Sequence, residues 1–136
     1  MSASKGSVVV YEGPSYLRQR LCLAVLSGRP VRFRNVRAAA DEPGLRDHEV
    51  SFLRLIDKIS NGSTIEIDHT GTDVFFRPGV LTGGRLTHDC PPSRAIGYFL
   101  EAMTWLAPFC KKPLVLILTG ITNDSVDPCV RACVRR

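Results

Sequence analysis

Residues 7–36 read SVVVYEGPSYLRQRLCLAVLSGRPVRFRNV. The run 7–11 is rich in β-branched and aromatic residues and ends at Gly13–Pro14, which predicts a short strand. Pro14 and Ser15 suit the opening of a helix, because a proline in the first turn gives up an N–H that has no intrahelical partner. Leu17, Leu21, Ala24 and Val25 then recur at helical spacing, with Arg18, Gln19 and Arg20 largely off that face. Gly28 and Pro30 stop the helix. Over 31–36 the period changes to two, so that Val31 and Phe33 share one face and Arg32 and Arg34 the other.

The same alternation continues outward from this strand–helix–strand unit. Residues 38–46, AAADEPGLR, form a loop that turns at Pro43–Gly44. Asp47 is the expected cap of a second helix reaching Ser60, with Val50, Leu53 and Ile56 or Ile59 as its apolar stripe and Asn61–Gly62 as its end. Segments 64–68 and 73–77 read as a hairpin closed by Thr70–Gly71–Thr72, with Ile65 and Ile67 on one face and Glu66 and Asp68 on the other. A further strand is expected at 85–88. Ser93 is the expected cap of a helix to Ala107, ended by Pro108, whose inner face holds Ile96, Phe99, Leu100 and Met103. The run LVLILT at 114–119 is continuously apolar, the pattern of a strand buried on both faces and parallel to a neighbour. The order β-α-β-α-β-β-β-α-β argues for a layered α/β arrangement with helices on one face of a sheet. No internal repeat is visible in the residue pattern. After 119, ITNDSVDP prepares a helix, but CVRACVRR allows two turns at most, so the chain reads as the front part of something larger.

The 136 residues, 44% hydrophobic and 23% charged, make one domain's worth of globular sequence. They exclude a disordered acidic or basic tail, a collagen-like chain and a coiled coil. No run reaches the ~18 apolar residues of a membrane span, so no membrane partner is expected. The opening MSASKGSVVV lacks a secretory pattern. Five cysteines (Cys22, Cys90, Cys110, Cys129 and Cys133), an odd number with no C-x-x-C spacing, read as reduced thiols rather than a disulfide scaffold or a zinc site.

Charge is unevenly spread. The chain carries +5, yet 17–37 alone holds Arg18, Arg20, Arg29, Arg32, Arg34 and Arg37 and no acid. Fourteen of the 18 basic residues are arginine, the side chain that grips phosphate or carboxylate in two-pronged fashion. Arg18, Arg20, Arg32, Arg34, Arg37 and Arg46 are therefore the candidate contacts to RNA or to an acidic protein. The competing reading is a solvated face paired with the chain's own acids.

Catalytic constellations are thin. His48, in RDHEVS at a helix start, is placed to meet a phosphate, though exposure or local capping explains it as well. His69 falls in the hairpin turn. His88–Asp89–Cys90 holds the ingredients of a cysteine–histidine pair, but such pairs are normally assembled from distant segments. Gly13 precedes a helix without a phosphate-binding glycine pattern, and Pro14 removes an amide. The three histidines sit on separate elements, which argues against a metal cluster. No catalytic, cofactor-binding or metal residue is assigned. Trp105 and Phe99 read as core. Phe75 and Phe76 point to opposite sheet faces, so one of them is a candidate for exposure.

SGRPV (27–31), PGLRD (43–47), FLRLIDKISNG (52–62), RPG (77–79), IGYFLE (96–101) and LAPF (106–109) together resemble the RNA 3'-terminal phosphate cyclase superfamily, most of all its non-cyclising branch in eukaryotic small-subunit ribosome assembly. The resemblance runs from Tyr16 to Pro128 and matches about the first third of a typical member. It implies repeated β-α-β-α-β-β units of the RNA 3'-phosphate cyclase and enolpyruvyl transferase type. A first unit would cover 7–90, the start of a second 91–128 and a divergent tail 129–136.

Active cyclases carry E-G-G-G-Q before L-R, where this chain has Glu12–Gly13–Pro14–Ser15–Tyr16, one residue shorter. They carry P-G-L-x-x-Q-H where it has Pro43 to Glu49, with His48 for the glutamine and Glu49 for the histidine. Arg18 and Arg37 keep family positions near the nucleotide and phosphate cleft. The resemblance thus implies a non-enzymatic nucleolar factor without a cofactor, acting on pre-18S rRNA with small-subunit processome proteins including a large GTPase. The alternatives are an RNA-end cyclase, a pre-rRNA endonuclease or an inactive short form.

Overall fold

The unit at the front of the chain forms as its pattern predicts. In the computed structural model, which describes residues 8–122, β1 (Val9–Glu12) and β2 (Val31–Arg34) run parallel on either side of α1 (Leu17–Ser27) in sequence. Val9 lies opposite Val31 and Glu12 opposite Arg34. Gly28 ends α1 in the left-handed region (φ 74), its N–H bonded to Ala24 O. The helix opens at Leu17, later than Pro14–Ser15 suggest, because Tyr16 turns the chain with φ 55.

The hairpin also forms as expected. β4 (Thr64–Ile67) pairs antiparallel with β5 (Val74–Arg77), and β5 lies antiparallel on the far edge of β2, giving a four-stranded sheet ordered β1-β2-β5-β4. The hairpin turn is held by Asp68, whose carboxylate accepts the N–H groups of Thr72 (2.9 Å) and Asp73 (3.2 Å) and the Thr70 hydroxyl (2.9 Å). Two short strands escape the sequence pattern: β3 (Ser60–Asn61) and β6 (Val80–Leu81) pair with each other.

Neither expected helix cap forms. Asp47 is the first residue of α2 (Asp47–Ile59), not its cap. Arg46 holds the cap position, and its N–H is satisfied by the Glu49 carboxylate at 2.8 Å. Ser93 is not the cap of α3 (Ile96–Leu106). Its hydroxyl donates to Asp47 Oδ1 at 2.7 Å, which ties the entries of the two helices together. Ala95 precedes α3, and the Ile96 N–H is taken by Ile121 O at 2.7 Å. α3 runs into a 3-10 turn at Ala107–Phe109.

β7 (Gly84–Asp89) and β8 (Leu114–Thr119) form a separate parallel pair joined through α3. β7-α3-β8 therefore repeats the topology of β1-α1-β2, and α1 packs against α3. β8 is parallel to a neighbour, as its apolar run predicts, but it is not buried on both faces. Val115 and Ile117 are 45% and 46% exposed, because α3 covers only the side that carries Leu114, Leu116 and Leu118.

One core joins these parts. Phe33 and Phe76 from the sheet, Leu21 from α1, Phe52 and Ile56 from α2 and Phe99 and Leu106 from α3 are fully buried. Each such phenylalanine contributes about 2–3 kcal/mol of apolar burial. Leu100 and Val50 are only half-buried at the margins of their stripes. These units form the α/β fold of the cyclase and enolpyruvyl transferase type that the sequence implies. Among the described residues no helix is long and apolar enough to cross a membrane. The tail at 129–136 lies outside the described residues.

Candidate nucleic-acid interface

The arginines that are contiguous in sequence separate in space. Arg18 is drawn inward: its Nη1 donates to Tyr98 O at 2.6 Å, its Nη2 meets Glu101 at 2.9 Å, and only 13% of its side chain is exposed. Its guanidinium lies 4.6 Å from the Tyr98 ring and 5.4 Å from that of Trp105. Arg37, with φ 49, grips both oxygens of Glu49 (2.7 and 3.0 Å). That contact, foremost, holds its guanidinium pKa above the ordinary arginine value. Arg46 donates to Glu42 O at 2.7 Å. Arg20 stacks over Tyr11 at 4.0 Å. Arg32 pairs with Asp73 at 2.8 Å. Arg34 is exposed at the end of β2.

Arg18 and Arg37 both lie near Tyr98, and Arg46 holds the cap of α2 beside Glu49, the acid that Arg37 grips. The Tyr98 ring also receives Arg94 at 4.4 Å and the edge of His48 at 5.2 Å. His48 Nδ1 lies 3.3 Å from the Ser93 hydroxyl. Burial lowers the His48 pKa below the ordinary imidazole value, so it sits as a neutral ring at neutral pH. Helix N-termini favour anions at this corner, but Glu101 and Glu49 already pair with Arg18 and Arg37 there. Tyr98 and Arg94 were not among the residues predicted from sequence, although IGYFLE sets the tyrosine directly beside Phe99, which was assigned to the core.

Arg32 and Arg34 lie instead on the outer face of the four-stranded sheet. Phe76 is buried beneath that sheet, and Phe75 is the half-exposed member of the pair. Arg32 and Arg77 lie 5.3 and 5.5 Å from the Phe75 ring. Arg77 was absent from the sequence-predicted set, though it alternates with Phe75 on β5 and so shares its face.

The remaining titratable groups are structural. His88 is buried, its Nδ1 accepting from Lys58 Nζ at 3.0 Å and its Nε2 donating to the Ser51 hydroxyl at 2.7 Å. That tautomer leaves Nδ1 and Nε2 both engaged, so His88 cannot activate Ser51. Burial, and secondarily Lys58, hold the His88 pKa below the ordinary value. Cys90 is buried, and burial pushes its thiol up to about 11, the opposite of a nucleophile's requirement. His69 is exposed in its turn. Among the described residues no group of three metal-ligating side chains gathers.

The profile of the RNA 3'-terminal phosphate cyclase family matches residues 9–135, and the chain belongs to that family. Among curated proteins, it is 56% identical over 128 residues to the human RNA 3'-terminal phosphate cyclase-like protein, covering 94% of this chain and 34% of that one. It is 49% identical over 129 residues to a probable RNA 3'-terminal phosphate cyclase-like protein of Drosophila melanogaster, covering 94% and 34%. It is 46% identical over 132 residues to the rRNA processing protein RCL1 of Saccharomyces cerevisiae, covering 97% and 36%. The chain thus spans about a third of the length of the curated relatives it matches.

Proposed function

We propose that the chain acts in small-ribosomal-subunit assembly as a non-enzymatic factor supporting pre-18S rRNA processing in the nucleolus, alongside small-subunit processome proteins and a large GTPase. The observation that carries this reading is the 46% identity, over 97% of the chain, with an rRNA processing protein. The turn where a cyclase-type phosphate loop would stand supports the non-enzymatic part. Pro14 has no N–H to offer, and the Gly13 N–H is already bonded to Arg34 O at 2.7 Å. Glu49, in the position of the family histidine, has its carboxylate bound by Arg37 and by the Arg46 N–H. No cofactor is called for on this reading.

Of the proposed contacts, Arg20, Arg32, Arg34 and Arg46 offer exposed or half-exposed guanidinium groups, while Arg18 and Arg37 act chiefly by shaping the corner around Tyr98. The reading divides the chain into a first unit over 7–90, the start of a second over 91–128 and a tail at 129–136. The pairing of β7 with β8 favours counting Gly84–Asp89 with the second unit.

The test is affinity purification of the tagged chain from nuclear extract at rising salt. Recovery of pre-18S rRNA with a large GTPase is the expected result. Loss of both, while a full-length relative still recovers them, overturns the reading for this chain. Transfer of labelled AMP from ATP to the protein would instead support cyclase chemistry.

A further inference from the structure

The outer face of the four-stranded sheet is built in rows. In one row Val10, Arg32, Phe75 and Glu66 lie side by side on successive strands β1, β2, β5 and β4. Extending the same register by two residues in one direction brings Arg34, opposite Glu12. In the other direction it brings Arg77, opposite Thr64. Arg77, Arg32 and Arg34 therefore stand two residues apart along the strand direction, about 6.7 Å per step. That pitch is comparable to the spacing of neighbouring phosphates on an extended single strand.

The ladder has an aromatic ring at its centre. Phe75 is half-exposed, with the guanidinium groups of Arg32 and Arg77 at 5.3 and 5.5 Å from its centroid. Beside it lies a shallow depression of about 260 Å³ lined by Arg32, Glu66, Asp68, Asp73 and Phe75. Of the acids there, Asp73 pairs with Arg32 and Asp68 holds the hairpin turn, while Glu66 stands exposed beside Phe75 on β4. The side chains of Arg34 and Arg77 meet no carboxylate among the described residues. Aromatic and guanidinium planes beside unpaired cations form the chemistry that binds unstacked bases and their backbone. An acidic peptide would use the arginines but would gain nothing from the ring.

We infer that this sheet face is a binding platform for single-stranded RNA, with a base stacked on Phe75 and the flanking phosphates held by Arg77 and Arg34. The inference rests on the rRNA reading and adds to it the form of RNA and the surface that takes it.

The test is fluorescence anisotropy of the 136-residue chain with a labelled oligouridine 12-mer across a salt series. Phe75→Leu is expected to weaken binding about tenfold with the salt slope unchanged. Phe75→Tyr, which keeps the ring, should bind as the parent does and so separates stacking from folding. Arg34→Ala and Arg77→Ala should each flatten the salt slope by about 0.7. Arg85→Ala, a charge lost from β7 outside this face, should not match them. The inference is overturned if Phe75→Leu binds within twofold of the parent, if Arg85→Ala is as damaging as Arg34→Ala, or if the parent does not bind the oligomer. Purification from nuclear extract separates this from the broader reading. Pre-rRNA recovered equally by the parent and by a Phe75→Leu/Arg34→Ala/Arg77→Ala variant sinks the platform alone, whereas no pre-rRNA from either sinks the rRNA role.

Discussion

Arg37 and Glu49 meet through two parallel contacts, Nη1 to Oε1 at 2.7 Å and Nη2 to Oε2 at 3.0 Å, and the same Oε1 accepts the N–H of Arg46 at 2.8 Å. Glu49 is 5% exposed. One carboxylate thus closes the loop after β2 and caps α2. Removing it strands a half-buried guanidinium and a helix-entry N–H together. Glu49→Ala should cost about 3 kcal/mol of unfolding free energy, whereas Asp47→Ala, at the more exposed neighbouring position, should cost under about 1 kcal/mol. Urea titration followed by the fluorescence of Trp105 measures both. Equal losses would show that Glu49 is no more than a helix-end charge.

Stability should fall on the acid side of neutrality. His48 and His88 both titrate below the ordinary 6.5 in the fold, in each case mainly because burial disfavours the charged ring. The unfolded chain therefore takes up protons first as pH drops. The contribution of each neutral ring is complete above pH 6.5 and is lost as pH falls through its folded pKa. His88→Gln retains a donor for Ser51 but cannot titrate, so it should flatten the decline of the urea midpoint below pH 6.5. An unchanged profile would mean that His88 contributes nothing to the acid transition.

Two glycines with positive φ should respond very differently to alanine. At Gly28 (φ 74) an added Cβ meets nothing within 4 Å, so Gly28→Ala should cost only the left-handed backbone penalty, about 1–2 kcal/mol. At Gly44 (φ 95) the Cβ would stand 2.3 Å from the Thr70 carbonyl oxygen, and the loop would have to move away from the hairpin turn. Gly44→Ala should therefore lose more than twice as much, read as the difference in urea midpoint between the two variants. Equal midpoints would mean that the loop and hairpin yield freely.

Thiol reactivity should follow burial. The Cys22 thiol is pushed up to about 12 and that of Cys90 to about 11, both chiefly by burial, whereas Cys110 is only partly covered. In a Cys129→Ser/Cys133→Ser background, Cys110 should react with a disulfide reagent at pH 8 well before the other two. Cys22 and Cys90 should label only at the rate at which the fold opens. Fast labelling of Cys90 in the native protein would contradict the packing around His88.

Local pattern made the secondary structure legible because its causes are local. The alternation of Val31 and Phe33 with Arg32 and Arg34 placed the faces of β2 correctly, and Gly28 ended α1. Asp47 and Ser93 misled because their oxygens bond to each other's segments rather than to their own helices. The apolar run of β8 spoke for burial, but whether a second layer covers Val115 and Ile117 depends on tertiary neighbours. The candidate site was hidden for the same reason. Arg18, Arg32 and Arg37 form a block of positive charge in sequence, yet their acids, Glu101, Asp73 and Glu49, come from other elements.

That division of labour among the arginines predicts opposite outcomes for two of them. Arg18 is mostly buried, donates to Tyr98 O and pairs with Glu101 between two aromatic rings, so Arg18→Ala removes packing as well as charge. It should destabilise the fold by about 2 kcal/mol, in the range of a lost buried charge-assisted hydrogen bond. Arg34 is exposed and meets no acid among the described residues, so Arg34→Ala should leave stability within about 0.5 kcal/mol of the parent. Paired urea titrations and RNA titrations decide the matter. Arg18→Ala should shift the first and Arg34→Ala the second, and a reversal would place the nucleic-acid contact at the helix entries around Tyr98 rather than on the sheet.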